Sequence, residues 1–171
     1  QTVTKNSSAD ISPTAGQIPR LLGLALASKL YRYSPGLQTE KFKNFSLNGN
    51  EVAFGTIGDA STSEGLFFET INAAGVLQVP MAISVWDDGY GISVPIRYQT
   101  TKQSISEALK GFERTPEKEG WVILKAKGWD YTGLVEMYEK GIELCREKHI
   151  PVLFHITELT QPQGHSTSGS H

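Results

Sequence analysis

A chain of 171 residues, 39% hydrophobic and 20% charged, is long enough for a sizeable core and has a globular composition, which excludes wholesale disorder. Its 16 basic and 18 acidic residues leave a formal charge of -2, which excludes a chain-wide basic field for nucleic acid or an anionic membrane. No apolar run approaches the roughly 18 residues that span a bilayer. Cys145 is the only cysteine, so neither a disulfide framework nor a cysteine zinc cluster is available.

A reducing, cytoplasmic setting is the expectation, since no signal peptide opens the chain. The chain runs from Gln1 to a Gly164-His165-Ser166-Thr167-Ser168-Gly169-Ser170-His171 ending without a closing element. It reads as one domain over 1–171, cut from a longer protein. Residues 1–10 and 161–171 read as flexible.

In chain order, Arg20 to Arg32 is apolar-rich, with Leu21, Leu22, Leu24, Leu26 and Leu30 leaving little polar face. This predicts a helix buried on most sides. Pro19 suits its first turn and Ser34-Pro35-Gly36 ends it. Asn48-Gly49-Asn50 predicts a turn before a short apolar strand, Val52 to Ile57. A helix is predicted from Glu64 to Leu77 and a buried strand from Pro80 to Trp86. Downstream come a helix at Thr101–Phe112 and a strand at Trp121–Leu124. An amphipathic helix follows at Thr132–Lys148, then a last strand at Pro151–Ile156. Apolar strands alternating with helices predict an α/β fold, a parallel sheet with helices on both faces. Thr115 to Glu119 reads as a surface loop.

In such sheets ligands bind beyond the carboxyl ends of the strands. Two strand exits carry acids. In the first, Gly58-Asp59-Ala60-Ser61-Thr62-Ser63-Glu64-Gly65, Ser61 and Glu64 have capping-box spacing and predict the helix start. A helix start offers backbone N–H groups to an anion. A carboxylate beside a phosphate is repulsive unless a cation joins them, so Asp59 implies an ion such as Mg²⁺. The second exit is Trp86-Asp87-Asp88-Gly89-Tyr90-Gly91. Residues 61 to 86 separate the two, 26 in all, which is one helix plus one strand. The exits can therefore lie side by side. Alternation along the strand points Asp87 and Asp88 in opposite directions, leaving one for the site. Taken singly, Asp59 reads as a cap, the two acids as a turn and the His165 run as a flexible tail. A non-catalytic phosphate- or metal-binding flavodoxin-like regulatory or assembly module is the alternative to an enzyme.

Gly58-Asp59-Ala60, the 26-residue gap and Asp87-Asp88 resemble the thiamine-diphosphate motif, usually Gly-Asp-Gly followed across a similar gap by Asn-Asn. The flanking Thr62-Ser63-Glu64-Gly65, Leu77-Gln78-Val79-Pro80 and Gly89-Tyr90-Gly91-Ile92-Ser93-Val94-Pro95 resemble the alpha subunit of 2-oxoacid dehydrogenases, the decarboxylating first components. Ser12 to Pro19 is similar to that family's entry to the cofactor module, and Gly164 to Ser168 to its active-site loop.

The resemblance implies Mg²⁺ ligation by Asp59, Asp88 and the Tyr90 carbonyl. It implies Gly58, Ala60 and Ser61 against the diphosphate, and Ser12 and Thr14 near the cofactor. His165 falls near the reacting centre as the catalytic residue, and Ser166 at a position phosphorylated in mitochondrial relatives. The implied partners are a beta-type pyrimidine-binding domain, a lipoyl acyltransferase component and a 2-oxo acid, branched-chain (2-oxoisovalerate type) favoured over pyruvate. Neither nucleic acid nor a membrane is implied. The catalytic Glu belongs to the partner domain, so this chain alone is expected to be inactive. Ala60 and Asp87-Asp88 depart from the usual motif, and the acids add negative charge beside a diphosphate.

Overall fold

A computed structural model describes residues 11–161 and His165. Ser166 and most of the two termini expected to be flexible lie outside these.

Helix α1 spans Ile18–Tyr33, with Pro19 in its first turn. Ile18, Ala25 and Ser28 form its buried stripe, while Leu24 is 53% exposed and Leu30 45%. The expectation of a helix buried on most sides holds in part: Leu21, Leu22 and Leu26 also pack against the core, partly buried, and one face stays open. Asn48 (φ 56°) and Gly49 (φ 68°) make the predicted turn. A Cβ on Gly49 would collide with the Ser28 carbonyl and Arg32, so this position needs glycine for both its φ and its space.

The sheet is built from β1 (Ala53–Gly58), β2 (Met81–Trp86), β5 (Val122–Lys127) and β6 (Val152–Thr157), all parallel, in the order β1-β2-β6-β5. A two-residue antiparallel pair, β3 (Tyr90–Gly91) and β4 (Val94–Pro95), leaves the end of β2. Helix α2 (Gly65–Leu77) joins β1 to β2, and α4 (Tyr131–Lys148) joins β5 to β6.

The two crossovers advance along the sheet in opposite directions, so helices of like-handed units cover opposite faces. Phe67, Ile71 and Ala74 of α2 pack with Met81, Ile83, Val85 and Leu153. Met137 and Cys145 of α4 pack with Ala82, Phe154 and Ile156. Burying each large apolar side chain contributes about 1.5–3 kcal/mol. The central strands β2 and β6 are buried along most of their length, whereas edge strand β1 alternates with exposure. The uniform burial read from the apolar strands holds only where both neighbours are present.

The predicted helix at Thr101–Phe112 is interrupted. It resolves into a 3₁₀ turn (Thr101–Gln103), a single turn α3 (Ile105–Ala108) and another 3₁₀ turn (Lys110–Phe112). Ser104 is extended and Lys102 and Gln103 have positive φ, so no continuous hydrogen-bond ladder forms. Ile105 and Leu109 are still buried, which explains the helical periodicity.

Among the described residues, no helix is long and apolar enough to cross a membrane.

Candidate functional site

The strands end level with one another. Gly58 pairs with Trp86, Trp86 with Ile156 and Ile156 with Ala126. A crevice opens at this carboxyl rim, beyond the ends of β1 and β2.

At the first exit, the Asp59 amide donates to the Trp86 carbonyl (3.2 Å), tying the two exits together. The Asp59 carbonyl accepts from the Thr62 amide (3.1 Å) and the Thr62 hydroxyl (2.5 Å). Ala60–Ser63 then form a 3₁₀ turn, and α2 begins only at Gly65. The predicted capping box is not formed. Glu64 is itself the N-cap, with no side-chain bond, because the tight turn pulls Ser61 out of reach of the helix start. Any anion at this exit would meet a 3₁₀ turn rather than the first turn of α2.

At the second exit, Asp87 and Asp88 diverge. Asp87 lies on the α3 side. Its Oδ2 accepts from His155 Nε2 (2.7 Å), and its Oδ1 from the Gly89 amide (2.9 Å). Asp88 lines the crevice, where its Oδ1 accepts from the Tyr90 amide (3.0 Å) and its Oδ2 contacts the Gln161 side-chain amide.

Gly89 (φ 79°) starts the β3–β4 hairpin, which folds over the 3₁₀ turn. A Cβ on Gly91 would sit 2.7 Å from the Ala60 Cβ and 2.7 Å from Gln99 Oε1, so glycine permits this approach. Gln99 closes the hairpin by donating to the Val94 carbonyl (2.5 Å), and its own carbonyl accepts from Ser63 (3.3 Å).

The resulting cleft has a volume of about 1110 Å³. Ser12, Thr14, Gly58, Asp59, Ala60, Ser61, Asp88, Tyr90 and His165 all line it. The structure therefore gathers every sequence-derived site residue around one cavity, of a size that takes a cofactor. No lysine or arginine stands among the described lining residues, which leaves the two acids dominant.

Asp59 is only 2% exposed, and its Oδ2 is a buried oxygen without a hydrogen-bond partner. Burial, then the charges of Asp87 and Asp88, push its carboxyl up to about 7. A buried acceptor with no donor, crowded by two carboxylates, suits a bound cation that would supply the missing charge. The oxygen donors suit a hard ion such as Mg²⁺, which uses one or two carboxylates plus phosphate and water. No group of three or more His, Cys, Asp or Glu side chains forms a metal cluster among the described residues. The charged oxygen donors that the described lining offers an ion are the carboxylates of Asp59 and Asp88.

Sequence reasoning missed His155, Ser106 and Gln99. A histidine in the apolar run Pro151–Ile156 was the available signal, because a polar side chain in a buried strand needs partners. Gln99 carried no signal.

Known proteins resemble this chain in sequence. It is 30% identical over 101 residues to the 2-oxoisovalerate dehydrogenase subunit alpha of Bacillus subtilis, covering 59% of this chain and 26% of that protein. It is 25% identical over 147 residues to the pyruvate dehydrogenase E1 component subunit alpha of Acholeplasma laidlawii, covering 85% and 35%. It is 33% identical over 66 residues to the 3-methyl-2-oxobutanoate dehydrogenase subunit alpha of Mycobacterium tuberculosis, covering 39% and 18%. The chain thus spans no more than about a third of the length of these relatives. Residues 3–168 match the family described as dehydrogenase E1 component, and on that extent the chain belongs to this family.

Proposed function

We propose that this chain is the diphosphate- and Mg²⁺-binding part of a thiamine-diphosphate-dependent 2-oxoacid dehydrogenase. The observation that carries the reading is the buried, unpartnered Oδ2 of Asp59 in a cleft shared with Asp88. Asp59 and Asp88 would hold Mg²⁺ through their carboxylates, and Tyr90 through its carbonyl. Gly58, Ala60 and Ser61 would lie against the diphosphate, with Ser12 and Thr14 near the cofactor. Asp59 would exchange its proton for the metal on binding.

Thiamine diphosphate, when bound, supplies the carbanion-stabilising centre that decarboxylation of a 2-oxo acid requires. His165 is the catalytic candidate: the resemblance puts it near the reacting centre, and it lines the cleft. A 2-oxo acid of the branched-chain, 2-oxoisovalerate type is favoured over pyruvate. The Gly164-His165-Ser166-Thr167-Ser168 resemblance supports this, as do the names of two of the three relatives described above. A beta-type pyrimidine-binding partner would supply the Glu for cofactor activation, and a lipoyl acyltransferase component would take the acyl group. The proposed setting is the cytoplasm.

Calorimetric titration with thiamine diphosphate, with and without Mg²⁺, tests the reading. Each ligand is expected to raise the affinity of the other, and no 2-oxo acid should be decarboxylated without the partner. Independent binding of the two ligands would favour the non-catalytic phosphate- or metal-binding module instead.

A further inference from the structure

A polar chain crosses the apolar layer on the α3 side of the sheet. His155 is 1% exposed and sits among Ile83, Val85 and Leu153, all fully buried. Its Nε2 lies 2.7 Å from Asp87 Oδ2, and its Nδ1 lies 3.0 Å from Ser106 Oγ on α3. Ser106 Oγ is in turn 3.2 Å from Ser104 Oγ. A carboxylate only accepts, so Nε2 carries the proton and donates it to Asp87. Such a group is not needed to fill space, and an apolar residue would avoid the desolvation cost of an imidazole.

The partner of His155 is the informative part. Asp87 has all its polar groups engaged. Its amide donates to the Ile156 carbonyl (2.9 Å), its carbonyl accepts from the Leu159 amide (3.3 Å), and its second carboxylate oxygen holds the Gly89 amide. The turn locked in this way is the one that presents Asp88 and Tyr90 to the cleft. A third carboxylate free in that cleft would oppose any diphosphate, and the charge of Asp87 already reaches Asp59.

Resting on the function proposed above, we propose that His155 is a positioning residue: anchored by Ser106, it holds the Asp87 carboxylate out of the cleft and fixes the turn, so that Asp88 alone faces the diphosphate and its cation. His155 touches neither cofactor nor substrate in this role.

The test is thiamine diphosphate affinity at saturating Mg²⁺, measured by calorimetry on the full-length protein with its partner subunit. His155→Leu should weaken binding about tenfold, the scale of one lost charge-assisted hydrogen bond. His155→Gln, which restores an N–H donor, should recover most of it. In an Asp87→Ala background, His155→Leu should have no further effect, because the group it restrains is gone. Should His155→Leu fail to fold, Ser106→Ala takes its place, with a two- to threefold loss expected that also vanishes in Asp87→Ala. Equal loss with and without Asp87 would mean that His155 only packs the core, and would overturn the proposal while leaving the functional reading intact. Unchanged affinity in the single variant would do the same. Wild-type protein that binds neither ligand would remove the functional reading and this proposal together.

Discussion

The amide of Asp59 is hydrogen-bonded to the carbonyl of Trp86, so the first acid-bearing strand exit is fastened to the residue that precedes the second. The separation of the two exits is set by the main chain. What the side chains decide is the charge placed across that fixed gap.

Asp59 should stabilise the cation-free fold only while it is protonated. An acid raised from 3.8 to about 7 gives stability that is fully present below the lower value and lost as pH rises through the upper one. Asp59→Asn removes this loss. Above neutral pH it should melt on the order of 5 °C higher than the cation-free wild type. It should also lose the stabilisation expected from Mg²⁺ on the proposed function. Scanning calorimetry over a pH series measures both, and a lower melting point for the variant would contradict the assignment.

Asp88→Asn should ease diphosphate binding. Removing one negative charge from a cleft without lysine or arginine among its described lining residues favours an anion, so thiamine diphosphate affinity should rise severalfold at low Mg²⁺. Mg²⁺ affinity without the anion should fall. A titration in which both constants stay at the wild-type values would refute the charge argument.

The hairpin depends on Gly91. Gly91→Val places a branched side chain where even a Cβ meets Ala60 and Gln99 at 2.7 Å. The hairpin must lift from the 3₁₀ turn at Ala60–Ser63. We expect a loss of thiamine diphosphate affinity of at least about tenfold with little change in melting temperature, since β3 and β4 lie outside the core. Trp86 lines the cleft and offers a fluorescence signal for the titration.

His149 should impose a separate acid limit. It is buried at the C-terminal cap of α4 (φ 54°), and its Nε2 faces the Gly49 carbonyl at 3.0 Å. Burial holds its pKa below the ordinary 6.5, and its Nδ1 has no partner for a second proton. The unfolded chain therefore binds the proton more readily, and stability falls as pH drops below 6.5. His149→Asn keeps a residue that tolerates a positive φ. It should be about 1 kcal/mol less stable at neutral pH, with a shallower decline in acid. Urea unfolding at two pH values separates these effects.

The strands of the four-stranded sheet and the long helices were legible because each is an apolar run or stripe. Val52 to Ile57 and Pro80 to Trp86 gave β1 and β2 to within a residue. Failures came where backbone geometry outranked side-chain pattern. Ile105, Leu109 and Phe112 recur as a helix would, yet extended Ser104 and the positive φ of Lys102 and Gln103 break the segment. Ser61 and Glu64 have the spacing of a capping box, but a 3₁₀ turn occupies that stretch. The site acids could be found because carboxylates at strand exits are conspicuous. The Asp87–His155 contact could not, because it joins residues 68 apart and depends on which strands become neighbours.

The level row from Gly58 through Trp86 and Ile156 to Ala126 has a consequence for how such a site can change over time. Its spacing is written in peptide groups, which every sequence shares. Aspartate at position 88 sets the charge that faces the crevice and leaves that spacing alone. A lineage can therefore retune the ionic demands of its cofactor pocket by single exchanges, without first rebuilding the scaffold that holds it.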